Sequence, residues 1–136
     1  MKPSLTVADA MSADDFSLMA SASVEEAVLA LQKHQLPGAP VINERKELIG
    51  FVSEHDLLRQ FLTSSYYSAS QASVMDVMRT DVLSVTPQDS IIDLAQTMAQ
   101  ADKPKVYPVV QKQRVVGIIS RRLVLKALLA HRAGQH

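Results

Sequence analysis

The chain has 136 residues, of which 47% are hydrophobic and 21% charged, with fourteen basic side chains balancing fourteen acidic ones. A neutral balance lacks the broad electrostatic footprint of a nucleic-acid or anionic-membrane binder. The absence of cysteine removes disulfides, thiolate catalysis and zinc-ribbon sites together.

A chain of this length buries roughly two thirds of the surface that its unfolded form exposes. With 4% aromatic residues, aliphatic packing has to supply the core. Neither a signal-peptide segment nor an apolar run of membrane-spanning length is present, so a soluble, cytoplasmic protein with no membrane or nucleic-acid partner is expected.

Thr6 precedes "VADAM" and offers the first helix-capping hydroxyl. "FSLMA" reads as a short strand. Ser23 then opens a helix whose Val24, Ala27, Val28 and Leu31 fall on one stripe, the spacing of a face packed on a sheet. Glu26, three residues after Ser23, completes a capping box. Pro37 and Gly38 of "LPGAPVI" stop that helix and begin an extended segment. After the polar turn "NERKE" comes "ELIGFVS", a buried-strand pattern, and Ser53 opens a helix carrying Leu57, Leu58, Phe61 and Leu62. "TSSYYSASQAS" has no sustained apolar period and reads as a linker.

The same series then begins again. "VMDVM" repeats "VADAM" and "GIIS" repeats "GFVS", both at a displacement of 67 residues. Ser73, Ser90 and Ser120 stand at that displacement from Thr6, Ser23 and Ser53. "VLSVT" is the second short strand. Ile91, Leu94, Ala95 and Met98 form the second helical stripe, with Asp93 where Glu26 stood. "KPKVYPVV" and "RVVGIIS" are the second strand pair, and Leu125, Leu128 and Leu129 mark the last helix. The alignment slips by one residue at Pro40 and Pro108, and the longer first turn regains it.

The expected organisation is a first repeat over 1–63, a serine-rich linker over 64–72 and a second repeat over 73–136. Each repeat is strand-helix-strand-strand-helix. A half of this size is marginal alone, so the fold class expected is a pseudo-symmetric α/β pair with a cleft for a ligand.

This duplicated unit opens with "DAM" or "DVM", carries an apolar-Pro-Val segment and closes on Gly-apolar-apolar-Ser-x-x-Asp. It resembles the cystathionine β-synthase (CBS) domain, and the tandem pair resembles a Bateman module. The resemblance implies a regulatory, non-catalytic module that binds an adenosine-type ligand, AMP, ADP or ATP, in the cleft between the repeats, and that forms a homodimer acting on a further protein. It implies ribose binding by Asp56 beside Ser53, phosphate binding by Ser120, Arg121 and Arg122, and adenine binding at Ala39, Pro40, Val82 and Leu83. An ionised carboxylate offers two acceptor oxygens to the two donors of a cis-diol. Ser53-x-x-Asp56 is equally a helix-capping arrangement. Leu123 replaces the aspartate in the second copy, which implies one strong site per chain.

The resemblance leaves two other readings open: a ligand-free dimeric adaptor associating through closing-helix positions that include Leu57, Leu58, Leu62, Val124 and Leu128, and an S-adenosylmethionine sensor. Ser53, His55 and Asp56 are too close in sequence for a nucleophile-base-acid relay. The four histidines, His34, His55, His131 and His136, lack metal-ligand spacing, so no catalytic or metal site is expected.

Overall fold

The computed structural model describes residues 5–12, 16–63 and 72–133. The linker expected over 64–72 lies outside the described residues except for Ala72. In chain order the elements are α1 (Val7–Ala10), β1 (Leu18–Met19), α2 (Val24–His34), β2 (Gly38–Ile42), β3 (Leu48–Ser53) and α3 (Glu54–Thr63). They are followed by α4 (Val74–Val77), α5 (Ile91–Met98), β4 (Val106–Gln111), β5 (Arg114–Ser120) and α6 (Arg121–Ala133).

Hydroxyl residues start the helices as the sequence predicts. Ser23 and Glu26 exchange hydrogen bonds, each backbone N–H donating to the other's side chain at 3.0 Å. The bond from the Ser23 backbone, and then that from its side chain, hold the Glu26 carboxyl below the usual glutamate range. Thr6 and Ser73 donate their backbone N–H groups to Asp9 and Asp76 at 2.8 and 2.9 Å. The Ser90 hydroxyl accepts the Asp93 N–H at 3.2 Å. Asp93 returns no bond to Ser90.

The chain divides into two compact units that are cut differently from the sequence repeats. The first unit is Phe16–Val82 with Gln113–Val115; the second is Met1–Asp15, Leu83–Lys112 and Val116–His136. Helix α4, which opens the second repeat, therefore belongs to the first unit, and α1, which opens the first repeat, belongs to the second.

In the first unit β1 pairs parallel with β2, Leu18 opposite Val41, and β2 pairs antiparallel with β3, Ala39 opposite Val52. Val24, Ala27 and Leu31 of α2 bury their predicted stripe against Ala39, Val41 and Val52 of the sheet, together with Val74 of α4. Beyond α4, Arg79 bridges to Phe51, the two residues exchanging backbone bonds at 2.9 and 2.8 Å.

This close approach explains the glycine of "GFVS". A Cβ on Gly50 would run into the Met78 sulfur and stand 2.9 Å from the Arg79 carbonyl. Gly117 of "GIIS" has the corresponding role in the second unit, where Ser12 bridges to Ile118 and an added Cβ would strike the Ser12 carbonyl.

Strands β4 and β5 form a two-stranded sheet, which belongs to the second unit apart from Arg114 and Val115. Ile91, Leu94 and Met98 of α5 pack in one core with Tyr107, Val109, Ile119 and Val124, and with Val7 of α1. Both short strands are briefer than their sequence patterns. "FSLMA" contributes Leu18–Met19, and "VLSVT" contributes a single parallel bridge, Val85 to Val109. The second shortening has a local cause: the first repeat continues its ladder with the Ala20 N–H donating to the Ile42 carbonyl at 3.3 Å, and Pro87, at the position of Ala20, has no N–H to donate.

Candidate functional site

The Ser-x-x-Asp motif sits where β3 passes into α3 without an intervening loop. Ser53 donates its backbone N–H and its hydroxyl to Asp56 Oδ2 at 3.1 and 2.9 Å, and its Oγ accepts the Asp56 N–H at 3.1 Å. Asp56 Oδ1 accepts the Arg79 Nε–H at 3.1 Å, in an ion pair whose side chains are 9% and 59% exposed respectively. A carboxylate has about four lone-pair sites. With Oδ2 taking two donors and Oδ1 one, a single acceptor position is left.

Asp56 lines a hollow of about 210 Å³ together with Arg59, Gln60, Asp76 and Val77, all in the first unit. Ala39 and Pro40 are fully buried in β2, with Ala39 in the core. Val82 is half-buried in the same unit.

In the second unit the equivalent junction joins β5 to α6. The Ser120 hydroxyl accepts the Leu123 N–H at 3.2 Å, so the cap persists without the acid. Leu123 packs against the second core. Arg121 and Arg122 are exposed in the first turn of α6, and the Arg121 backbone N–H donates to the Lys105 carbonyl at 2.9 Å. Leu83 is 49% exposed.

Arg79 is the site residue that the sequence reading missed. Its position in the repeat corresponds to Ser12, as Asp56 corresponds to Leu123. Asp56 from the first repeat and Arg79 from the second therefore meet within the first compact unit, and the second unit has Leu123 and Ser12 in their places. Inspecting the two copies for paired differences, rather than the closing motif alone, would have exposed it.

Comparison with known proteins accounts for this architecture. The CBS domain family model matches residues 7–63 and 74–130. The chain belongs to the CBS domain family and carries two CBS domains in tandem, a Bateman module. Among curated proteins it is 28% identical over 130 residues to the uncharacterized protein MJ1225 of Methanocaldococcus jannaschii, covering 96% of this chain and 45% of that one; it thus spans less than half the length of that relative. Among solved structures, AcuB of Vibrio cholerae superposes with a TM-score of 0.86 at 29% identity, covering 98% of this chain and 96% of that one. CBSX2 from Arabidopsis thaliana, in its complex with AMP, superposes with a TM-score of 0.80 at 28% identity, covering 93% and 98% of the two chains. Among the described residues no helix is long and apolar enough to cross a membrane, and no group of three His, Cys, Asp or Glu side chains could hold a metal ion.

Proposed function

We propose that this chain is a regulatory module that binds an adenosine nucleotide, AMP, ADP or ATP, with the ribose on Asp56 and one strong site per chain. The observation that carries the reading is the asymmetry of the closing motif: one copy holds a largely buried carboxylate at the wall of a polar hollow, and the other holds Leu123. The AMP complex of CBSX2 supports the ligand class.

In this reading Arg79 competes with the ribose for Asp56 Oδ1. Both hydroxyls of a cis-diol can be received at that oxygen only when the guanidinium moves aside. The phosphate falls to Ser120, Arg121 and Arg122 on the chemistry of a helix N-terminus followed by two guanidinium groups, and the adenine to the segments around Ala39-Pro40 and Val82-Leu83. Binding of AMP, ADP and S-adenosylmethionine by thermal shift tests the ligand class. Stabilisation by adenine nucleotides above guanine and pyrimidine ones is expected, and equal shifts with every base would refute it.

The homodimer reading rests on the closing helices, which expose Leu58, Phe61 and Leu62 on α3 and Leu125 and Leu129 on α6. Leu57 and Val124, also counted on for the interface, are 3% exposed and belong to the cores. Sedimentation of a stable monomer at micromolar concentration would overturn the dimer.

A further inference from the structure

Charge is balanced over the whole chain but divided along it. All fourteen acidic residues precede position 103, and the 34 residues after Asp102 carry eight lysines and arginines. Helix α6 lies wholly in that basic stretch and has no acid in its first turn, where Arg121 and Arg122 stand. Cations there oppose the helix dipole, and Arg122 precedes Lys126 by four residues, a like-charge spacing that also disfavours a helix. The local stability of α6 therefore does not account for its charges. Helix α3, its counterpart in the first repeat, has Glu54 and Asp56 in its first turn and no base in its last.

Both helices leave an apolar line uncovered. On α3 Leu58 and Leu62 are 58% and 77% exposed, and on α6 Leu125 and Leu129 are 61% and 70% exposed. Each pair is four residues apart and so runs along one side of its helix. Glu54, four residues before Leu58, begins the line on α3, and Arg132, three residues after Leu129, ends the line on α6; both are exposed. Neither the Glu54 carboxylate nor the Arg132 guanidinium has a partner among the described residues.

We propose that the homodimer forms by α3 of each protomer packing antiparallel on α6 of the other. Leu58 then meets Leu129 of the partner subunit, Leu62 meets Leu125 of the partner subunit, and Glu54 reaches Arg132 of the partner subunit. Two-fold symmetry makes the contact twice. This pairing rests on the dimer reading above and names the surfaces that meet.

Charge selects this arrangement over its alternatives. Two α6 helices laid antiparallel would set Arg121 and Arg122 against Arg132, like charge on like. Two α3 helices laid antiparallel would set the Glu54 carboxylate beside Leu62, where it loses water and gains no cation. Between α3 and α6, the antiparallel sense sets the acidic first turn of one against His131 and Arg132 in the last turn of the other and opposes the two helix dipoles. The parallel sense would draw in Arg121, which the nucleotide reading assigns to the phosphate.

The test is sedimentation equilibrium of the full chain at low salt for wild type, Glu54→Lys, Arg132→Glu and the variant with both changes. Each single reversal places like charges together at both symmetric contacts and should raise the dimer dissociation constant at least roughly fivefold. The variant with both changes restores opposite charges and should return to within about twofold of wild type. A dimeric wild type whose affinity neither reversal alters, or single losses that simply add when combined, would overturn the pairing and leave the dimer reading standing. A monomeric wild type would overturn both.

Discussion

Asp56→Asn separates the structural work of this carboxylate from its work on a ligand. The asparagine oxygen can still accept from Ser53, so part of the cap survives. What is lost is the negative charge in the first turn of α3, about 0.3–1 kcal/mol, and the bond from Arg79. Because the Arg79 side chain is 59% exposed, solvent screening limits that bond to about 0.2–1 kcal/mol. The total is about 1 kcal/mol, a fall of about 4 °C in melting temperature for a domain of this size. Urea unfolding of wild type, Asp56→Asn, Arg79→Gln and the double variant isolates the pair: the coupling should be about 0.5 kcal/mol at low salt and should shrink in 1 M NaCl. Coupling indistinguishable from zero at low salt, with an unchanged denaturant slope, would refute the ion pair as a stabilising contact.

Other outcomes follow from single residues. Gly50→Ala should cost about 1–3 kcal/mol in urea unfolding, since its Cβ meets Met78 and the Arg79 carbonyl; a loss below about 0.5 kcal/mol would show that the crossing segment yields. Gln35 ends α2 in the left-handed region at φ 55°, so Gln35→Gly should stabilise by about 0.5–1 kcal/mol in the same assay. The Glu26 carboxyl titrates below its unfolded value, so its contribution is complete above pH of about 4.3 and is lost as pH falls through the lower folded value. The stability difference between wild type and Glu26→Gln should therefore shrink below that pH in acid-titrated unfolding curves. Arg79→Gln leaves Asp56 charged while removing its competitor, so adenosine should bind about two- to tenfold more tightly by calorimetry; unchanged or weaker binding would contradict competition.

Much of the fold was legible because the chain states it twice. The stripe of Val24, Ala27 and Leu31, its counterpart of Ile91, Leu94 and Met98, and the capping hydroxyls each signal locally, and their recurrence fixed the order of elements. The exchange of α1 and α4 between the compact units left no local signal, since it depends on which sheet each short helix reaches. Its trace lay in Gly50 and Gly117, whose need for a missing Cβ appears only once the crossing backbone is placed against them. The site was read halfway. Asp56 was visible as the exception in a repeated motif, whereas Arg79 lies 23 residues away and becomes its partner through the bridge to Phe51.

Calorimetric titration of AMP into wild type and Asp56→Asn tests the central claim most directly. Loss of charge-assisted hydrogen bonding contributes about 1.5–3 kcal/mol, so AMP should bind wild type with one strong site per chain and bind the folded variant roughly tenfold to a hundredfold more weakly. Equal AMP affinity in the two proteins would contradict the ribose assignment and leave Asp56 as a helix cap and the partner of Arg79.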